Sequence, residues 1–280
     1  MIQIKNLSFD YGKRKPVFRN LNLTLKEGNV YGLLGRNGAG KSSLLRNMAG
    51  LLFPTAGTCV VNGHNAQERL PMFLQDLYFL PEEFHTPPVK IKDFVDVYAP
   101  FYPKFSRKQF LEYLEEFQLS AHEKFTELSL GQKKKALIGF ALSTNTKVLL
   151  MDEPTNGLDI PSKSQFRKII ASVATDERII VISTHQVRDL ESLIDPIIIL
   201  DNSEVLLSAT TEEITEKLCF KTVLTVTEHD KVLYSEHSLR GFSIVTQNTA
   251  HEHSKADLEL LFNATLTNQS RIKELFNRIH

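Results

Sequence analysis

The sequence predicts an α/β fold, in which helices cover a mostly parallel sheet and a small α+β segment follows. Two observations lead to this prediction. Short apolar runs such as KVLLMD, RIIVIST and PIIIL alternate with helical stretches, which is typical of parallel strands buried on both faces. The stretch VYGLLGRNGAGKSS adds a strand, a glycine-rich loop and a helix in direct succession. At 280 residues, the chain can hold one large domain and one small one.

The first elements of the chain are predicted to be strands. Apolar residues recur at every second position at Ile2 and Ile4, and again at Leu21, Leu23 and Leu25. This period of two indicates strands with one buried face. The next run, VYGLLG, is a short buried strand, and KSSLLRNMAGLL continues as a helix.

A helical insertion is predicted between about residues 88 and 145. Its segment SRKQFLEYLEEFQL begins with Ser106 and Gln109, which have the spacing of a capping box at a helix start. Helical periodicity places the apolar residues of this segment on one face. They are Phe110, Leu111, Leu114 and Phe117. Further helices are predicted at PSKSQFRKIIASVA and HQVRDLESLI.

The pattern changes at about residue 206. The stretches KTVLTVTEH, KVLYSEH and GFSIVTQ predict a small antiparallel sheet, and DLELLFNATL and RIKELFNRI predict helices after it. We therefore divide the chain into a main α/β domain at 1–205 and a small α+β accessory domain at 206–280.

Charge and hydropathy argue against several classes of protein. The chain has 33 basic and 33 acidic residues and a formal net charge of +0, so we expect no nucleic-acid partner that is bound by phosphate neutralisation. Its apolar runs are strand-length, well short of the roughly 18–20 residues of a membrane span. The start, MIQIKNLSFDYG, contains no apolar signal core. We expect a soluble chain that reaches any membrane through a partner.

The glycine-rich loop matches the P-loop pattern G-x-x-x-x-G-K-[ST] in full, between a predicted strand and a predicted helix. Its glycines let successive backbone N–H groups surround an anion, and the following helix start adds a positive dipole end. Lys41 is expected to reach the outer phosphates of a nucleotide, and Ser42 to bind Mg²⁺. The predicted phosphate-binding residues are Gly35, Arg36, Asn37, Gly38, Ala39, Gly40, Lys41, Ser42 and Ser43.

An acidic pair ends the later buried strand, in VLLMDEP. Asp152 can hold the Mg²⁺ ligand shell, and Glu153 is then placed to orient or deprotonate an attacking water. An acidic pair at a strand end is ordinary by itself. Together with a P-loop, it predicts nucleotide hydrolysis.

Over residues 1–205 these motifs and their order resemble the ATPase subunits of ATP-binding cassette (ABC) transporters. Further matches are an aromatic residue for stacking on adenine, the signature loop LSLGQ, the D-loop NGLD and the switch histidine of ISTHQ. The residues concerned are Tyr11, Ser129, Gly131, Gln132, Asp159 and His185. The resemblance implies an ABC-type P-loop NTPase fold with an antiparallel β edge and a helical insertion.

The resemblance also implies how such a chain works. Two copies would pack head to tail, and the signature loop of each would close over ATP held by the P-loop of the other. ATP and Mg²⁺ are the implied cofactors, and His185 would contact the γ-phosphate. A separate transmembrane permease is the implied partner, which would place the chain on the cytoplasmic face of the membrane as a peripheral subunit.

The sequence departs from the family pattern at two positions. Leu130 stands where the signature usually has glycine, and a Cβ there disfavours positive φ and limits backbone approach. Glu82, in YFLPEEF, stands where the family has a glutamine that senses Mg²⁺ and water, and a carboxylate there is an adequate Mg²⁺ ligand. The LPE sequence resembles the branch of bacterial cassettes that serve type-2 exporters, and therefore favours export.

Two other functions remain open from the sequence. One is a soluble ABC ATPase without a role in transport, and the other is a regulatory module that binds ATP without turnover. At single positions, Tyr11 and His185 could instead be packing residues. The triple lysine at 133–135 is interpreted as a solvated helix face.

Overall fold

The computed structural model describes residues 1–12, 16–226, 231–239 and 241–276. A four-stranded antiparallel sheet, in the order β2-β1-β4-β5, forms one edge of the molecule. Its strands are β1 (Ile2–Phe9), β2 (Phe18–Leu25), β4 (Ala56–Val61) and β5 (His64–Asn65). The predicted alternation is confirmed, because Ile2, Ile4, Leu21, Leu23 and Leu25 are all buried.

A six-stranded sheet forms the centre, in the order β10-β9-β3-β8-β7-β6. The first five of its strands along the chain are parallel to one another, and β10 pairs with β9 antiparallel. The strands are β3 (Asn29–Leu34), β6 (Leu77–Leu80), β7 (Val148–Asp152), β8 (Ile179–Thr184), β9 (Ile197–Asp201) and β10 (Glu204–Ala209). Every residue of β7, β8 and β9 is buried, as expected of parallel strands covered on both faces.

Helices cover this sheet and fill the predicted insertion. They are α1 (Lys41–Met48), α2 (Pro71–Gln75), α3 (Ile91–Tyr98), α4 (Arg107–Glu116), α5 (Leu130–Ser143), α6 (Ile160–Val173), α7 (Thr211–Lys217), α8 (Leu258–Thr267) and α9 (Gln269–Phe276). The insertion therefore consists of α3, α4 and α5. The parallel strands of the central sheet point their carboxyl ends toward the loops that carry the P-loop and the acidic pair.

The start of α4 differs in detail from the prediction. The hydroxyl of Ser106 accepts from Gln109 N at 3.3 Å, but the side chain of Gln109 accepts from Asn145 instead of returning to the cap. Only half of the capping box forms, because this tertiary hydrogen bond uses the Gln109 carbonyl. Leu111 was wrongly assigned to the buried face, since 56% of it is exposed. The other three apolar residues of that face are buried.

The helix predicted at HQVRDLESLI is wrong, because only a short 3₁₀ turn forms there, at Val187–Asp189. Arg167 donates to the backbone carbonyl of Asp189 at 3.0 Å, and Lys163 pairs with its carboxylate at 2.6 Å. A carbonyl that a continuing helix would need for its own ladder is therefore bound by a side chain from α6.

The C-terminal segment contains a three-stranded antiparallel sheet in the order β11-β13-β12, followed by α8 and α9. Its strands are β11 (Leu218–Val223), β12 (Val232–Ser238) and β13 (Gly241–Gln247). Parts of the predicted KTVLTVTEH and RIKELFNRI elements, at 227–229 and 277–279, lie outside the described residues. The proposed boundary between 205 and 206 falls inside β10, which belongs to the central sheet up to Ala209.

Candidate functional site

The P-loop lies between β3 and α1, at the carboxyl edge of the central sheet, as its motif predicts. Two of its positions require glycine. Gly40 has φ +104°, and a Cβ there would lie 2.8 Å from ring atom Cε1 of Phe18. A Cβ on Gly35 would lie 2.6 Å from the carbonyl oxygen of Leu200. The backbone can therefore turn its N–H groups toward a bound anion only without side chains at these points.

Lys41 is buried and reaches across the mouth of this loop. Its Nζ atom donates to Gly35 O at 2.8 Å and lies 3.4 Å from Oε1 of Glu153. The ammonium is held by oxygen atoms that a nucleotide phosphate could replace. The P-loop lysine and the predicted catalytic carboxylate are thus in direct contact, although 112 positions (153 − 41) separate them in the sequence.

Glu153 follows directly after β7, and its backbone has φ 47°. Its carboxylate Oε1 lies 2.9 Å from Nδ1 of His185, so the predicted switch histidine and the acidic pair come together. Ser183 links β8 to the end of β7. Its hydroxyl donates to Oδ1 of Asp152 at 2.6 Å and accepts from Glu153 N at 3.0 Å. Asp152 itself is buried.

A cavity of about 510 Å³ opens above these groups. Tyr11 stands at its edge, with its hydroxyl 2.8 Å from Ser43 Oγ and its ring edge-on to Phe9 at a centroid distance of 4.9 Å. Half of Tyr11 is exposed, at 50%, so a ring face remains available for stacking. The cavity is lined by Tyr11, Val17, Arg36, Asn37, Gly38, Gly40, Lys41, Ser42, Ser43, Glu82, Glu153, Asn156 and His185.

The oxygen donors at this cavity suit Mg²⁺, which prefers carboxylates, hydroxyls and phosphates. Ser42 and Glu82 line the cavity, and Asp152 lies at the end of β7 beside them. Among the residues that the structure describes, no three His, Cys, Asp or Glu side chains form a ready-made metal site. The remaining ligands would therefore come from phosphate and water, which is how Mg²⁺ is usually held.

Glu82 is tied to the loop after the acidic pair. Its Oε1 accepts from Nδ2 of Asn156 at 3.0 Å, so the carboxylate is oriented from the far side of the cavity. Sequence reasoning did not single out Asn156, because an asparagine in a turn has many possible partners.

The signature loop lies elsewhere. Ser129 caps α5 in a full capping box with Gln132, with N···O distances of 3.2 and 2.9 Å. Leu130 is the first helical residue, 68% exposed, and is absent from the positive-φ residues of the described chain. No described residue between 129 and 132 lines the P-loop cavity. The positive φ that a Cβ at Leu130 would disfavour is therefore absent, and the exposed cap lies outside the cavity of the chain's own P-loop.

Asp159, the predicted D-loop residue, caps the next helix. Its carboxylate accepts from Ser162 N at 2.9 Å, and hydrogen bonds from Ser162 lower the pKa of Asp159. The D-loop also touches the signature helix, since a Cβ on Gly131 would lie 3.2 Å from Gly157 O. A contact between Asp159 and ATP stays a prediction.

Comparison with known proteins adds to this geometry. The sequence profile described as ABC transporter matches residues 18–156. The lantibiotic transport ATP-binding protein SrtF of Streptococcus pyogenes is 32% identical over 201 residues, which cover 70% of this chain and 84% of SrtF. The chain belongs to the ABC transporter family. It is an ATP-binding subunit of that family and an ATPase, as the motifs predicted.

Other relatives of this ABC subunit differ in how much of it they match. Methionine import ATP-binding protein MetN of Carboxydothermus hydrogenoformans is 35% identical, over 73% of this chain and 65% of MetN. Linearmycin resistance ATP-binding protein LnrL of Bacillus subtilis is 27% identical, over 95% of this chain and 90% of LnrL. The match to LnrL thus extends through the C-terminal segment.

Solved structures confirm the predicted ABC-type P-loop NTPase fold. A dimeric post-hydrolysis state of the ATP-binding cassette MJ0796, bound to ADP and Pi, is 25% identical with a TM-score of 0.67. The match covers 75% of this chain and 98% of the MJ0796 chain. ABC cassettes therefore bind ATP and form dimers. No helix in the described parts of this subunit is long and apolar enough to cross a membrane.

Lys134 is a residue near the nucleotide site that was wrongly assigned from the sequence. The lysine run at 133–135 was interpreted as a solvated face, but only 4% of Lys134 is exposed. Burial lowers the pKa of Lys134, while the carboxylates of Glu82, Glu153 and Asp152 act in the opposite direction. Nothing in three consecutive lysines shows which one faces inward.

Proposed function

We propose that this ATPase works as a head-to-tail homodimer that drives a separate transmembrane permease, from the cytoplasmic face of the membrane, in the direction of export. The observation that carries the proposal is the division of the site. Lys41, Glu153 and His185 meet at one cavity, whereas Ser129 is exposed outside it. A second copy of the chain is the partner that supplies an equivalent Ser129.

In the proposed reaction a water attacks the γ-phosphate of ATP. Lys41 binds the outer phosphates, Glu153 orients the water and accepts its proton, and His185 contacts the γ-phosphate. Mg²⁺, when bound, would neutralise phosphate charge and hold the phosphates in place. Ser42, Asp152 and Glu82 are the residues proposed to hold it.

The contact between Lys41 and Glu153 gives ATP a direct effect on the base. A phosphate bound in the P-loop carries more negative charge than one carboxylate and would attract the Lys41 ammonium more strongly. Glu153 would then keep its hydrogen bond to His185 and be free to approach water. Once phosphate leaves, the Lys41 ammonium would pair with Glu153 again.

Export is proposed from the relatives rather than from the nucleotide site, which is the same whichever way cargo moves. LnrL, whose name states linearmycin resistance, matches almost the whole chain, at 95%. The import subunit MetN matches 73%. A match that includes the C-terminal segment is thus one to a resistance protein, and resistance through a transporter means removal of the compound.

We also propose that the ATPase domain extends to residue 209, because β10 completes the central sheet. The segment after it is an accessory part, but it shares a core with the ATPase domain. Buried side chains from both sides, including Leu207, Ile214, Leu218 and Leu261, belong to one contiguous apolar cluster.

The Glu82→Gln variant tests the site proposed for Mg²⁺ and water. Glutamine keeps an oxygen for Asn156 but removes one negative charge from the cavity. We expect the dissociation constant for ATP to stay within about three-fold and kcat to change by more than that, since only the hydrolytic step depends on the carboxylate. Phosphate release and binding of a fluorescent ATP analogue would measure the two quantities.

The neighbouring Glu83→Gln variant is the matched control, because Glu83 is exposed and does not line the P-loop cavity. It should behave like the wild type. A variant at Glu82 that changes only the melting temperature would show that this residue is structural.

The permease is proposed to dock on an apolar groove beside α2. The groove has a volume of about 490 Å³, and the exposed side chains of Leu51 and Phe101 lie at it. Such exposed apolar surface marks interaction sites. The wall strand β6 leads directly to Glu82, so a partner seated here would lie close to the nucleotide site.

Phe101→Glu should therefore weaken binding to the permease while ATP binding by the isolated subunit stays normal. Phe101 is 65% exposed, so the substitution should not disturb folding, but it places a charge in an apolar contact. Co-purification with a co-expressed permease gene neighbour measures the effect. Leu111→Glu on α4, a similarly exposed position outside the groove, is the control. Equal losses in both variants would contradict this docking site.

A further inference from the structure

Lys134 connects the signature helix α5 with the loop after β7 that contains Glu153. It lies one turn into α5, directly after the signature loop. Its Nζ atom donates to the backbone carbonyl of Glu153 at 2.7 Å and to that of Asn156 at 2.9 Å. A buried ammonium is costly unless it is hydrogen-bonded, and these two carbonyls supply the partners.

The bonded residue Glu153 has an unusual backbone. Its φ of 47° is unfavourable for a residue with a Cβ and persists only where the surroundings hold it. Ser183 Oγ on β8 accepts from the Glu153 N–H at 3.0 Å. Lys134 on α5 donates to the Glu153 carbonyl. The N–H and the carbonyl of this residue are therefore both bound, which determines where the carboxylate points.

We infer that Lys134 is a positioning residue, which holds the backbone of Glu153 in its left-handed conformation and ties it to the start of the signature helix α5. The inference rests on the proposed role of Glu153 as the base. Lys134 does not line the P-loop cavity. It acts through the direction of the Glu153 side chain.

The consequence is a mechanical link between the two composite sites of a dimer. In the proposed dimer, the first residues of α5 close on the nucleotide of the partner. The same helix turn holds the base of the chain's own site through Lys134. A shift of α5 on closure would therefore move the Glu153 carbonyl, and the geometry of the base would depend on the occupancy of the other site.

The test uses the full chain with MgATP and three variants. Lys134→Met keeps the apolar stem but removes the donors, and a displaced base should lower kcat by about 10- to 100-fold. KM for ATP and the dissociation constant of a fluorescent ATP analogue should stay near the wild-type values, because Lys134 does not line the P-loop cavity. Lys134→Arg, which keeps charge and donors, should recover part of kcat. Lys108→Met on α4, at an exposed lysine outside the P-loop cavity, is the control and should leave kcat unchanged.

The Glu153→Gln background separates this inference from the proposed function. If Glu153→Gln abolishes turnover, adding Lys134→Met should cause no further fall, because there is no base left to position. Under that condition, wild-type kcat in Lys134→Met overturns the positioning role. Normal turnover in Glu153→Gln would instead refute the proposed function itself. If Lys134→Met does not fold, Lys134→Gln replaces it, with the same expected fall in kcat and the same contrary outcome.

Discussion

Replacing Glu153 with glutamine is expected to lower kcat for ATP hydrolysis by at least about 10²-fold, because the amide cannot accept the proton of the attacking water. The dissociation constant for ATP should not rise. Lys41 has the Glu153 carboxylate as a partner at 3.4 Å, and the neutral amide competes less with phosphate for that ammonium. Removal of one negative charge beside the triphosphate acts in the same direction.

The uncleaved ATP should also hold the subunit together as a dimer. Size-exclusion chromatography with and without ATP would show this, alongside phosphate release and nucleotide binding. Glu112→Gln on α4 is the control, since this exposed residue pairs only with Lys108 among the described contacts, at 3.9 Å. Wild-type turnover in Glu153→Gln would remove the residue from the role of base and leave His185 and Glu82 as the candidates at the cavity.

Much of the nucleotide site could be predicted because its determinants are local. The P-loop residues are neighbours in the sequence, and the glycine positions themselves reflect the contacts that a Cβ would make, as at Gly35 and Gly40. The acidic pair follows a strand whose continuous apolar run shows that it is buried. Parallel strands end at one edge of the sheet, so these motifs had to meet.

Interactions between distant elements could not be predicted in the same way. Lys133, Lys134 and Lys135 have the same chemistry, and only the packing of α5 against the loop after Glu153 turns the middle one inward. The interrupted helix near Asp189 depends on Arg167 and Lys163 from α6. In both places a side chain from another element binds backbone groups, and no local pattern records it.

The proposed boundary at residue 205 falls inside β10, for a related reason. The run EVLLSA of β10 is a short, largely apolar stretch, and its sequence alone does not show which sheet it joins. The strand pairing shows where the central sheet ends, because Ala209 still pairs with Ile197 of β9. The contiguous core across the boundary also differs from the separate cores of two independent domains.

Mixing two inactive variants is expected to restore ATP-dependent dimer formation. Lys41→Ala removes the ammonium from the chain's own P-loop, and Ser129→Arg removes the capping hydroxyl of α5 and fills the space before it. Each variant alone forms only homodimers in which both composite sites are damaged. In a heterodimer, one site combines the intact Lys41 of one chain with the intact Ser129 of the other, and the second site carries both defects.

The restored site should bring back ATP-dependent closure and a fraction of the hydrolysis, at most about half of the wild-type rate if the sites act independently. Differential tags would prove that heterodimers have formed before association and phosphate release are measured. We expect this because Ser129 is exposed and lies outside the cavity lined by Lys41. If the signature loop served its own chain, every site in the mixture would contain one defect and nothing would be regained. Proven heterodimers without gain in either measurement would therefore refute the head-to-tail arrangement.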